Sequence, residues 1–249
     1  MNKELDVVLI DKPFDIKELP LKSVYVLDDW LCDSLHHYFD NWVTKNQIWA
    51  KTNQVDSHSK TGLPHHSFWG TSFLRDDFQS EPGIGKENTF FVKYIIRRLQ
   101  TEFSFKWTRF QYAGMNSQTV GLHGTTHSDC QDEDDWNLSF LYYTNRYWNP
   151  KWGGKLRLYD KVVQSPEHDD MMQGVHGRTE HIKNYQIAEV DFKPNRLVMF
   201  DGRIPHGADA PNESAKYMDR RSLVIRGDEV RLIKDKKEFY NANDRVHLL

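Results

Sequence analysis

Three residues in this chain combine types and spacings that could hold a metal ion. His127 and Asp129 stand two apart in Gly121-Leu-His-Gly-Thr-Thr-His-Ser-Asp129. In extended backbone such residues project on the same side, so an imidazole and a carboxylate can grip one ion. Farther on, Pro194-Asn-Arg-Leu-Val-Met-Phe-Asp-Gly-Arg-Ile-Pro-His206 is a β-prone run and a turn that deliver a histidine 79 residues after His127. Two neutral imidazoles and one carboxylate suit three positions on one face of an octahedral iron, leaving the opposite face for substrate and oxygen. His123 is an alternative first histidine, although His123-Gly-Thr lacks a carboxylate two residues on.

Fourteen residues beyond His206, Arg220-Arg221-Ser222 opens another β-prone run. An organic acid that chelates iron through a 2-oxo carboxylate needs its far carboxylate held, a task suited to a guanidinium fork. Arg220 and Arg221 compete for that role. Alternation places Arg220 and Ser222 on one strand face, with Leu223 and Ile225 on the other, which favours Arg220. Arg226, farther along the polar face, is placed to approach the near carboxylate.

The elements that must position these groups fall into two regions. Asp6-Val-Val-Leu-Ile10 and Ser23-Val-Tyr-Val-Leu27 are short β-prone runs that flank a sheet. Leu31, Leu35, Phe39, Trp42 and Val43 follow Asp28-Asp29 at helical spacing, with His36 and His37 alongside. Glu87 to Phe103 repeats that spacing through Phe90, Phe91, Tyr94, Ile95, Leu99 and Phe103, with Lys93, Arg97 and Arg98 facing solvent. Between the helices, Lys45 to Gly85 reads as an irregular stretch suited to a lid or binding loop.

After Lys106 the runs 107–112, 136–143, 155–159, 187–192, 196–200 and 221–225 read as strands with no helix between them. That pattern predicts a mainly β member of the α+β class, a double-stranded β-helix (jelly roll, cupin-like) buttressed by N-terminal helices. Lys161 to Tyr185, with His168, Asp169, Asp170, His176 and His181, reads as a solvated loop. The chain divides as one domain: helical support and lid over 1–105, catalytic core over 106–227, and a tail over 228–249.

Composition narrows the function classes. With 38% hydrophobic and 28% charged residues and a net charge of −3, the 249-residue chain is a globular protein without a nucleic-acid binder's basic balance. Two isolated cysteines, Cys32 and Cys130, argue against a disulfide framework and fit a reducing cytoplasm. No run of 18 apolar residues predicts a membrane span, and no signal-peptide core precedes Pro20.

The ordered set His127-x-Asp129, Leu141-Tyr-Tyr-Thr-Asn145, Trp152-Gly-Gly-Lys-Leu-Arg-Leu158, Arg196-Leu-Val-Met-Phe200, His206 and Arg220-x-Ser222 resembles the Fe(II)- and 2-oxoglutarate-dependent oxygenases of the prolyl 4-hydroxylase-like group. The resemblance covers roughly Lys106 to Gly227. It implies His127, Asp129 and His206 as iron ligands, Arg220 and Ser222 at the distal carboxylate of 2-oxoglutarate, and Tyr143 and Tyr112 as further contacts to that co-substrate. It also implies a hydroxylase using Fe(II), 2-oxoglutarate and O2 and releasing succinate and CO2. Asp129 favours hydroxylation over halogenation, because halogenating members usually carry a small residue there. A prolyl residue of a peptide or protein is the implied substrate, with a small metabolite as the alternative. A jelly-roll module that only binds metal or ligand is the competing class.

Overall fold

The computed structural model describes residues 4–45, 49–54, 67–75, 79–80, 86–122, 124, 126–129, 136–160 and 185–240. Among these run β1 (Val7–Ile10), β2 (Val24–Leu27), α1 (Asp33–Lys45), β3 (Ala50–Gln54), β4 (Ser67–Arg75), β5 (Gln79–Ser80) and α2 (Lys86–Phe103). The later elements are β6 (Phe105–Gln118), β7 (Leu138–Tyr143), β8 (Leu156–Tyr159), β9 (Gln186–Val190), β10 (Leu197–Asp201), β11 (His206–Ala208) and β12 (Arg220–Leu232). The larger sheet has the order β1-β2-β10-β7-β12-β6-β4-β3, with β5 on β4; a smaller one has the order β11-β8-β9. The architecture is the expected jelly roll, its large sheet extended at both edges by N-terminal strands.

Alternation divides the interior into two cores. On β7, Leu138, Phe140 and Tyr142 enter a core with the helices, whereas Leu141 and Tyr143 join Val198, Phe200, Leu156, Leu158 and Phe192 between the sheets. Every residue of β7 is buried, as a central strand covered on both faces requires. The helices therefore wall off one face of the large sheet, and the opposite face is left for chemistry.

Helix α1 buries His36, Phe39, Asp40, Trp42 and Val43. Phe39 stacks on Phe91 and Tyr142 with ring centroids 4.7 and 5.9 Å away. His36 is a structural residue, with one ring nitrogen 2.6 Å from the Tyr142 hydroxyl and the other 3.1 Å from the Asn145 carbonyl. In α2 the buried stripe is Phe91, Val92, Ile95, Ile96, Leu99 and Phe103. Phe90 and Tyr94, expected on that stripe, are exposed because they lie beyond its edge. Arg98, expected in solvent, instead bonds Glu102 at 2.6 Å and the Trp30 carbonyl at 3.1 Å.

The stretch 45–85 also needs correction. It contributes β3, β4 and β5, and β4 pairs with β6 from Trp69↔Ser117 to Arg75↔Tyr112. Its polar residues and glycine hide strand alternation, and pairing with the long edge of β6 supplies the order that local propensity does not. Residues 46–48, 55–66 (including His65-His66), 76–78, 81–85 and 161–184 lie outside the described residues.

Phe39 is fully buried, so Phe39→Ala should lower unfolding free energy by about 3–5 kcal/mol. Phe90→Ala, at an exposed position, should change it by less than about 0.5 kcal/mol. Urea denaturation of the two variants checks both values.

Candidate active site

The metal-type residues converge where the two sheets meet. His127 and His206 form an isolated antiparallel bridge, exchanging backbone N–H···O bonds of 3.0 and 2.8 Å. This bridge adds His127 to the β11 edge of the smaller sheet and sets the two rings 4.6 Å apart. Asp129 is drawn back by its backbone N–H donating to the Gly202 carbonyl at 2.8 Å. A Cβ on Gly202 would come within 1.8 Å of Asn137 Oδ1 and 2.6 Å of Ser139 Oγ, so the close approach of this turn needs glycine.

The possible ligand atoms of His127, Asp129 and His206 all lie within 4.8 Å of one another. Nε2 of His127 is 3.7 Å from Asp129 Oδ1, and Nε2 of His206 is 3.6 Å from Oδ2. His206 Nδ1 lies 2.9 Å from the Ile204 carbonyl, to which it donates, leaving Nε2 as the free lone pair. The His127 side chain remains 42% exposed while Asp129 is 3% exposed. Access to the centre is therefore from the His127 side. Two imidazoles and a carboxylate are the donor set that Fe(II) accepts with positions to spare, so these residues fit such an ion.

Electrostatics prepares the same set. Burial alone would raise the Asp129 pKa, but Arg226, His206, His127 and the Ser139 hydroxyl outweigh it and hold the carboxyl well below its usual range. Ser139 Oγ donates to Oδ2 at 2.6 Å and Arg226 Nη1 to Oδ1 at 2.5 Å. Arg226, expected near a co-substrate carboxylate, is thus engaged by Asp129. Burial pushes the His206 pKa down to about 4 despite the neighbouring Asp129, keeping the imidazole neutral and able to bind metal.

Behind the triad, cross-strand register aligns a polar floor. Ser139 of β7 lies opposite Arg226 of β12, which lies opposite Tyr112 of β6. Four residues along, on the same face, come Tyr143, Ser222 and Asn116, and two residues farther Arg220 with Gln118. Arg220 is 1% exposed. Its Nε donates to the Gly154 carbonyl at 2.8 Å, and Nη1 to Gln118 Oε1 at 2.9 Å and Ser222 Oγ at 3.3 Å. Its guanidinium carbon lies 5.0 and 4.9 Å from the centroids of the Tyr143 and Phe192 rings.

Among the described residues, Nη2 of Arg220 and the Tyr143 hydroxyl are buried side by side and meet no acceptor other than each other, and no carboxylate pairs with Arg220. Burial raises the Tyr143 pKa beyond what the Arg220 charge takes away, so its hydroxyl stays a donor. A cation and a donor hidden together without an acceptor make a site for an acid. Arg221 does something else: it pairs with Asp40 of α1 at 3.0 Å and so fastens helix to sheet. Tyr112 is half-buried at the Arg226 end, 5.5 Å from that guanidinium, and its hydroxyl accepts from Ser72 at 3.3 Å. His123 lies outside the described residues.

Residues 110–225 match the family model of the 2OG-Fe(II) oxygenase superfamily. This segment is a 2OG-Fe(II) oxygenase domain. The family uses Fe(II), 2-oxoglutarate and O2, and the enzyme is an oxidoreductase. Among solved structures, a prolyl hydroxylase from Trichoplax adhaerens, in complex with a hypoxia inducible factor oxygen degradation domain peptide fragment, aligns with a TM-score of 0.50. It shares 15% identity and the alignment covers 88% of this chain and 87% of that one. A Pseudomonas putida prolyl-4-hydroxylase aligns with a TM-score of 0.48 at 16% identity, over 82% and 92% of the two chains. At these identities the first alignment speaks for the fold alone. A search of curated proteins found no match.

Sequence reasoning passed over the supporting residues. Ser139 shares a strand face with Tyr143 and could have been marked by alternation, but Gly202, Gly154 and Gln118 show their roles only through contacts made far along the chain.

The metal-free protein should lose stability as the pH falls from 6.5 towards about 4, because unfolded His206 takes up a proton that the folded imidazole refuses. Urea midpoints across this range should fall less steeply for His206→Gln than for the parent.

Proposed function

We propose that this oxygenase domain hydroxylates an unactivated C–H bond, converting 2-oxoglutarate, O2 and R–H into succinate, CO2 and R–OH. In this reading His127, Asp129 and His206 hold Fe(II), and Arg220 and Tyr143 receive the distal carboxylate of 2-oxoglutarate. The observation that carries it is the buried Arg220 Nη2 beside the Tyr143 hydroxyl with no carboxylate partner among the described residues, on the sheet face that also bears the Ser139 and Arg226 supports of Asp129. Fe(II) when bound supplies the activation of O2 that no side chain provides.

The chain's own groups perform the remaining tasks. Arg220 and Tyr143, with Ser222 between the strands, fix the far end of the acid so that its 2-oxo end is directed at the triad. Phe192 covers the guanidinium, with Trp148 packed on the Phe192 ring, and excludes water from it. Ser139 and Arg226 keep Asp129 ionised and oriented, and Tyr112 lines the adjoining floor. The exposed side of His127 is where the substrate C–H bond would approach.

A prolyl residue of a peptide or protein is the preferred substrate. Support comes from the Trichoplax prolyl hydroxylase, whose fold is similar and which holds a peptide fragment. The chain is read as one domain acting in the cytoplasm; among the described residues, no helix is long and apolar enough to cross a membrane.

Succinate release from 2-oxoglutarate under O2, with and without proline-containing peptides, tests this function. The parent should form succinate faster with peptide. Arg220→Gln should weaken apparent 2-oxoglutarate affinity by roughly 30-fold or more, the loss expected on truncating one side of a buried charged pair. An iron-loaded, folded parent that forms no succinate would sink the oxygenase reading in favour of a binding module. Succinate formation indifferent to the peptides would sink only the prolyl assignment.

A further inference from the structure

Gln118 ends β6 directly opposite Arg220 and is 2% exposed. Its Nε2 donates to the carbonyls of Leu122 at 2.8 Å and Ala208 at 3.2 Å, while its Oε1 accepts from Arg220 Nη1 at 2.9 Å. The reverse amide orientation would set its oxygen against two carbonyls and its NH2 against a guanidinium, so the contacts permit one orientation.

These partners are not scattered. Leu122 lies on the arm leading to His127, and Ala208 lies two residues past His206. The Gly124 N–H also donates to the Ala208 carbonyl at 2.7 Å. Gln118 therefore ties Arg220 to both segments that carry the imidazoles. As a neutral acceptor it occupies Nη1 without cancelling the charge, and Nε is occupied by Gly154. The edge left over is Nη2, beside the Tyr143 hydroxyl.

We propose that Gln118 is a positioning residue for the acid site, holding the Arg220 guanidinium so that a charged Nη2 edge faces the distal carboxylate of a 2-oxo diacid. The inference rests on the reading of Arg220 given above. A glutamate here would bring its own carboxylate to Nη1 and compete with the ligand for the charge. A leucine would keep the bulk and remove the acceptor.

Calorimetric titration of the Mn(II)-saturated full chain with 2-oxoglutarate and with 2-oxopentanoate, which has the same five carbons but no distal carboxylate, is the test. Gln118→Glu should bind 2-oxoglutarate about tenfold or more weakly, with 2-oxopentanoate binding changed by less than about twofold. Gln118→Leu should show a smaller loss confined to the diacid, and it carries the test if the glutamate variant does not fold. Equal losses for both acids would mean a general scaffold role and overturn the proposal. Unchanged 2-oxoglutarate binding in both variants, with binding abolished in Arg220→Gln, would overturn it while leaving the acid site standing. Unchanged binding in Arg220→Gln would overturn both.

Discussion

A guanidinium buried without a carboxylate partner is the constraint around which this site is built. Removing a charge from water is costly unless its hydrogen-bonding groups are met. The protein meets Nε with Gly154 and Nη1 with Gln118 and Ser222, and covers the guanidinium with Tyr143 and Phe192. Among the described residues it leaves Nη2 without a carboxylate, beside the Tyr143 hydroxyl. Gly154 matters here because its positive φ of 81° and close approach suit glycine; a Cβ would press to 3.2 Å from Arg220 Cδ and Trp148 Cζ2. The unmatched charge is best understood as one half of a pair whose other half is a ligand.

Closure of the jelly roll brings the other half of the chemistry to the same interior. The reciprocal backbone bonds of His127 and His206 join distant segments into one edge of the smaller sheet, and Asp129 is held by Gly202, Ser139 and Arg226. Support continues away from the centre, since the Ser139 hydroxyl also lies 3.2 Å from Asn137 Oδ1, and Asn137 donates to buried Asp228 at 2.5 Å. The large sheet is stiffened from behind by α1 and α2, so Ser139 and Arg226, which hold Asp129, stand on strands, and His127 is fixed by its bridge to His206 of β11. That arrangement gives the site its pre-organisation.

How much of this could be read from residue order depends on the range over which each role is decided. His127, Asp129 and His206 were legible because ligand-type residues fell beside β-prone runs and turns, and Arg220 because strand alternation separates it from Arg221. The β7 and β10 strands were legible from their dense apolar patterns. The strands β3 and β4 were not, because pairing with β6 decides them. Gln118 and Gly202 look ordinary until a cross-strand register and a tight backbone approach give them work, and Arg226 changes meaning once Asp129 is seen at its Nη1.

The most direct test of the central claim is the visible absorption of anaerobic protein on titration with 2-oxoglutarate in the presence of Fe(II). If the triad and the Arg220 pocket serve one co-substrate, a weak charge-transfer band should grow and saturate as 2-oxoglutarate is added to the parent, and be absent from Asp129→Ala. Folded parent protein that demonstrably contains Fe(II), takes up 2-oxoglutarate and yet develops no band would contradict the account, because the acid would then be bound away from the metal.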